Sequence, residues 1–213
     1  MSTSASMRSP GVLVWAAVFI GVLLWSGIAP KDGLTWFLEV LPALIGGVVL
    51  AYTRTRFPLT PLLYVLILVH CLILMLGGHY TYAEVPLGEW VRELTNGTRN
   101  NYDKLGHLAQ GFVPAMIARE LFLRLNVVNG AAWRNLLIVA FCLGFSAFYE
   151  LIEWWVALLS GEDAEAFLGT QGYVWDTQSD MGWAGLGAVL ALVMLWRWHD
   201  RQLAALLNTD FRR

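Results

Sequence analysis

Asp103 and His107 lie four residues apart in the run Asn100-Asn101-Tyr102-Asp103-Lys104-Leu105-Gly106-His107. On a helix that spacing puts a carboxylate and an imidazole on one face, about one turn apart. Gln110, Gly111 and Pro114 continue the face, and the apolar segment that follows Asp103 is long enough to enter a bilayer. Neither polar group is stable at the mouth of a membrane helix without partners. Candidate partners are Glu150 and Glu153, three apart and so on one helix face, and Asp176 and Asp180, which share a face if a helix begins before Asp176. His79 is the last candidate.

With Asp103 and His107 these residues supply six or seven ligand groups. Carboxylates crowded at a membrane interface repel one another and take up protons unless a cation holds them. Oxygen and imidazole donors suit a divalent ion: zinc with three or four ligands, or manganese, iron or magnesium with more. Asp103, His107, Asp176, Asp180 and His79 are the expected metal ligands. Glu150 and Glu153 are the expected catalytic carboxylates, one of them free to act as general base on a metal-activated water. Arg99, Lys104, Gln110, Gln171 and Gln178 are placed to orient a lipid headgroup, and Trp175 to wall its pocket.

The elements that must position these groups are membrane helices. The chain has 213 residues, 57% hydrophobic and 14% charged, where a soluble domain carries about a quarter charged residues. Eleven Trp and seven Tyr suit aromatic belts at two interfaces. A net charge of -2 with no basic cluster argues against nucleic acid as a partner. Cys71 and Cys142 fall in apolar runs and read as small buried hydrophobes. Apolar runs predict six spans, at about 11–29, 34–52, 59–76, 104–125, 135–159 and 180–198, in a single all-α polytopic bundle covering 1–213. The long connections are 77–103 and 160–179. In the first, Leu87, Trp90, Val91 and Leu94 recur at helical spacing and predict an amphipathic helix in the headgroup layer, ended by a turn at Asn96-Gly97. The sixth span is rich in Gly and Ala, which permits close helix packing.

Charge asymmetry orients the bundle. Arg8, Arg54, Arg56, Arg119, Arg124, Arg134, Arg197, Arg201, Arg212 and Arg213 fall on the side of the termini; Lys31, Arg92, Arg99 and Lys104 fall on the other. The positive-inside rule then puts both termini in the cytoplasm and both long connections outside. Glu150 stands roughly 22 Å along its span from Asn135, near the outer edge of the hydrocarbon. The starts of the fourth and sixth spans and the end of the third converge on that depth.

Other polar residues have plainer explanations. His70 reads as a hydrogen-bonded interior histidine, His199 as solvated in the tail, Glu39 as paired with an outer cation, and Glu162, Asp163 and Glu165 as a solvated loop. Trp154, Trp155 and Trp175 also suit interface anchors. The plain alternative for the whole cluster is a hydrogen-bonded polar plug closing the outer end of the bundle.

The blocks NNYDKLGHLAQGFVPAMIARE (Asn100 to Glu120), YELIEW (Tyr149 to Trp154) and QGYVWDTQSDM (Gln171 to Met181) closely resemble the YjdF-like family of bacterial inner-membrane proteins. His79-Tyr80-Thr81-Tyr82 fits the same pattern, and the resemblance covers most of the chain from His79 onward. It implies an integral membrane protein and little about chemistry, since the family is a domain of unknown function. Asp103, Lys104 and His107 also resemble the Asp-Lys-x-x-His motif of VanZ-like proteins, which implies an envelope or lipid-linked role.

The expected function is therefore a membrane-embedded, metal-binding protein acting on a lipid or lipid-linked headgroup at the extracytoplasmic face, as a hydrolase or transferase. One alternative is a non-catalytic lipid or small-molecule binder or transporter; another is a structural partner in an envelope complex. No glycine-flanked serine elbow is present.

Overall fold

The computed structural model describes residues 10–160, 168 and 170–210. Arg8, Glu162, Asp163, Glu165, Arg212 and Arg213 lie outside the described residues. Among those described, the chain forms α1 (Pro10–Ser26), α2 (Gly33–Thr53), α3 (Pro61–Tyr80), α4 (Pro86–Thr95), α5 (Tyr102–Arg124), α6 (Ala131–Ser160) and α7 (Asp176–Asp210). A short 3-10 turn occupies Tyr82–Glu84, and there is no strand. The helices α2, α3, α6 and α7 are long and apolar enough to cross a membrane, and α1 is a shorter apolar helix. The fold is an all-α polytopic bundle.

Local chemistry sets the helix ends. The Asp32 side chain caps α2 by accepting from the Thr35 N–H at 2.6 Å, and that bond holds the carboxyl below its ordinary 3.8. Proline occupies the first position of α3 and α4, where no N–H is needed. Asn96 ends α4 in the left-handed region at φ 52, its N–H returning to the Arg92 and Glu93 carbonyls. On α4, outside the membrane spans, the Arg92 guanidinium binds Glu89 and lowers that carboxyl as well.

The central helix is α5, with α3, α6 and α7 packed around it, while α2 and α1 lean on α3. Its length of 23 residues corresponds to about 34 Å. Small residues let α5 and α7 approach closely. A Cβ on Gly111 would overlap the Ala184 carbonyl, and one on Gly187 would overlap the Leu108 carbonyl. Ala184, Ala188 and Ala191 complete the seam, fully buried.

At one end of the bundle α3, α5 and α7 are tied by a buried polar knot. Glu120 accepts from the Thr60 hydroxyl at 2.8 Å, from Arg124 at 3.0 Å and from His199 Nε2 at 3.0 Å. Arg119 lies 2.7 Å from His199 Nδ1 and 2.7 Å from Asp200. A guanidinium only donates, so Nδ1 accepts, and His199 is the neutral tautomer that donates from Nε2 to Glu120. This corrects the expectation of a solvated His199: α7 does not stop at residue 198 but continues to Asp210, and the imidazole is fully buried.

Two outcomes follow for stability in detergent. Gly111→Ala and Gly187→Ala are each expected to cost about 1–3 kcal/mol by forcing the helices apart. Gly182→Ala meets open space and should leave the melting temperature unchanged or slightly higher; equal effects at all three positions would refute the close seam. Asp32→Ala should cost about 1 kcal/mol. Because the folded carboxyl titrates below the unfolded one, the wild-type advantage is present at neutral pH and fades as the pH falls below about 4. Melting curves of both proteins against pH check this.

Candidate functional site

The start of α5 is fixed by its neighbours in space. Asn100 accepts from the Tyr102 N–H at 3.0 Å and donates from Nδ2 to the Val85 carbonyl at 3.0 Å, filling the space left by Gly88. Gln171 clasps the same residue in both directions: its Oε1 accepts from the Asn100 N–H at 3.0 Å, and its Nε2 donates to the Asn100 carbonyl at 2.8 Å. Gln171 adopts φ 48 to do so, a backbone strain that the paired bonds offset. The chain leading into α7 is thereby docked over the first turn of α5.

Ion pairs then bind α5 to α7. Lys104 Nζ lies 2.8 Å from Asp176 Oδ1, 2.5 Å from Asp180 Oδ1 and 3.5 Å from Asp103 Oδ2. Arg99 lies 2.8 Å from Asp176 and 3.8 Å from Asp103. Asp176 opens α7, so it shares a face with Asp180, one turn on. The Tyr173 ring covers both cations, at 5.4 Å from the Arg99 guanidinium and 5.7 Å from the Lys104 ammonium.

His107 stands between two sets of carboxylates. Its Nε2 faces Asp103 Oδ1 at 3.3 Å and Asp180 Oδ2 at 3.9 Å. Its Nδ1 lies 3.0 Å from Gln110 Oε1 and 3.9 Å from Glu150 Oε1. An amide oxygen only accepts, so Nδ1 carries a proton. Ligand atoms of Asp103, His107 and Asp180 fall within 4.8 Å of one another, as do those of His107, Glu150 and Glu153. Asp103 Oδ2 and Glu150 Oε1 are buried without a hydrogen-bond partner.

Beside His107 is a cavity of about 50 Å³, bordered by Glu39, His70, Tyr82, Asp103, Tyr149 and Glu153. The Tyr149 hydroxyl donates to Glu39 Oε2 at 3.3 Å, joining α6 to α2. On the other side of Lys104 a wider groove of about 650 Å³ runs down the α5–α7 seam, with Arg99, Asn101 and Ser179 above Leu105, Leu108 and Trp183.

Residues 11–201 match the model of a family described as predicted membrane protein, DUF2238. The chain belongs to this family. It is also 52% identical over 182 residues to inner membrane protein YjdF of Escherichia coli (strain K12), covering 85% of this chain and 87% of that protein. No solved structure matches the chain. The chain is thus an integral, multi-pass inner-membrane protein.

In this DUF2238 protein, Asp103, His107, Glu150, Glu153, Asp176 and Asp180 lie in one network, with Gln110 against the histidine and Arg99 and Lys104 against the aspartates. His79 is elsewhere: its Nδ1 is 3.0 Å from the Ser26 carbonyl and its ring packs on Trp25 at 4.5 Å. That contact, made by the C-terminal end of α1, turns it away from α5. Trp175 and Gln178 are exposed and do not border the cavity. Glu39, Tyr82, Tyr149 and His70 line the cavity without having been expected there. Glu39 is isolated in its span and its partner Tyr149 is 110 positions away, so no local spacing could have joined them. Lys104→Met would leave Asp176 and Asp180 facing each other without the ammonium. Removing one partner of a buried pair costs about 3–5 kcal/mol. Thermal unfolding in detergent should show that loss, with partial recovery when Asp180→Asn is added; wild-type melting of the single variant would show that the network contributes no stability.

Proposed function

We propose that the protein is a metal-dependent membrane enzyme that acts on a lipid or lipid-linked headgroup at the extracytoplasmic face, as a hydrolase or transferase. The observation that carries this is the setting of His107. Its Nδ1 proton goes to Gln110 while Nε2 is aimed at Asp103 and Asp180, the arrangement by which a second hydrogen bond orients a metal-ligating histidine. Asp103, His107 and Asp180 would hold the ion, and zinc, manganese, iron or magnesium each suits oxygen plus imidazole donors. Such an ion supplies Lewis acidity and lowers the pKa of a water beside it.

The chain's own groups supply the rest. Glu150 and Glu153 stand across His107 from that position and serve to take a proton from water. The α5–α7 groove offers polar groups above apolar ones, which suits a phosphate near Arg99 and Lys104 with an acyl chain along Leu105, Leu108 and Trp183. In hydrolysis of a phosphate ester there, the water oxygen bonds to phosphorus and the bond to the leaving oxygen breaks. The proton passes by way of the carboxylate to that leaving oxygen. The arginine asymmetry supports cytoplasmic termini and an outward-facing site.

A second reading is a solute or proton pathway. Pro42 and Pro114 lie inside α2 and α5 and give no N–H to the carbonyls of Leu38 and Gln110, next to Glu39 and on the cavity wall. Polar groups in membrane helices commonly mark such paths.

Metal content by mass spectrometry separates the two. Wild-type protein purified without chelator should hold near-stoichiometric divalent metal, and the Asp103→Ala, His107→Ala double variant should lose it while keeping its helical circular dichroism. Metal-free wild-type protein would sink the enzyme reading and favour transport.

A further inference from the structure

We infer that the site takes a second divalent cation, held by Glu150 and Glu153 on the Nδ1 side of His107, with Glu39 and Tyr149 facing it across the cavity. This deepens the metal-site reading above and rests on it.

Charge balance is the first support. Six carboxylates converge here, those of Glu39, Asp103, Glu150, Glu153, Asp176 and Asp180, against the fixed cations Arg99 and Lys104. Lys104 and Arg99 lie against the aspartates, so the glutamates are the part left without a cation. With one ion on Asp103, His107 and Asp180, Glu150 and Glu153 face each other with no cation between them and are driven to take up protons; a second ion is what holds both as carboxylates. Uncompensated charge of that kind is expensive to bury.

Geometry is the second support. The ligand atoms form two groups that share only His107, one on each ring nitrogen. Glu150 Oε1 has no hydrogen-bond partner although its side chain is 7% exposed, and it lies 3.9 Å from Nδ1, too far to accept that proton. The glutamate group also has room beside it. The cavity of about 50 Å³ borders Glu39, Tyr149 and Glu153, room for more than one water. An ion that keeps several waters fits that description.

The donors fix the class of ion. Nδ1 is engaged by Gln110, and Cys142 lies apart, bonded to the Gly111 carbonyl. The position therefore offers carboxylates, a tyrosine hydroxyl and water, which suit magnesium or manganese. In the two-ion form Glu150 and Glu153 change from proton acceptors to ligands. Glu39, hydrogen-bonded by Tyr149, is then the carboxylate left to take a proton.

The test is Mn²⁺ loading of the full chain in detergent, read by metal analysis and electron paramagnetic resonance. Wild-type protein should bind two equivalents, their spectrum broadened by the dipolar interaction of two neighbouring ions. Glu150→Gln, Glu153→Gln should bind one and show an isolated-ion spectrum. One uncoupled equivalent in wild-type protein would overturn the second ion and leave the single-metal reading standing; none would overturn both. The wild-type stoichiometry decides the question even if the variant does not fold.

Discussion

Everything in this bundle depends on keeping charge inside a helix that lies at its centre. Asp103, Lys104, Arg119 and Glu120 are all buried on α5, where an unpaired charge would cost a large fraction of a typical domain's margin of stability. The bundle meets that constraint by bringing partners to both ends of α5. Lys104 draws in Asp176 and Asp180 of α7 and Arg119 draws in Asp200, while Glu120 is held by Thr60, His199 and Arg124 of its own helix. Close packing at Gly111 and Gly187 lets α7 come near enough for these pairs to form.

The two ends differ in how completely that is done. At the Glu120 end every strong donor and acceptor of the knot has a partner, and the tautomer of His199 follows from its neighbours. At the His107 end the carboxylates outnumber the cations, Asp103 Oδ2 and Glu150 Oε1 accept no hydrogen bond, and a cavity borders Asp103 and Glu153. A purely structural polar plug would be expected to resemble the first end. The second leaves buried polar atoms unsatisfied, and that supports the proposal of a site there.

Much of this could be read from the sequence because helical spacing is local. Asp103 with His107, Glu150 with Glu153, and Asp176 with Asp180 each follow from a separation of three or four, and hydropathy sets their common depth. What could not be read depends on how helices pair. Glu39 joins the cavity only because α2 and α6 meet at Tyr149, and His79 leaves it because Trp25 of α1 holds its ring. Lys104 could be recognised as a cation near the headgroups, but not as the counter-ion of two aspartates more than 70 positions away. His199 was hidden by hydropathy, which marks where hydrocarbon ends and not where a helix ends.

The length of α7 has a mechanical meaning. Its 35 residues extend about 52 Å, well beyond a hydrocarbon layer of about 30 Å. Along that rod, α7 is fastened to α5 at Asp180 and again at His199. A slip of one helical turn, about 5.4 Å, would break both fastenings at once. The two helices are therefore locked in one register along their shared length. A bilayer that thickens or thins cannot be accommodated by sliding them, and the mismatch falls instead on the tilt of the pair and on the peripheral helices α1 and α2.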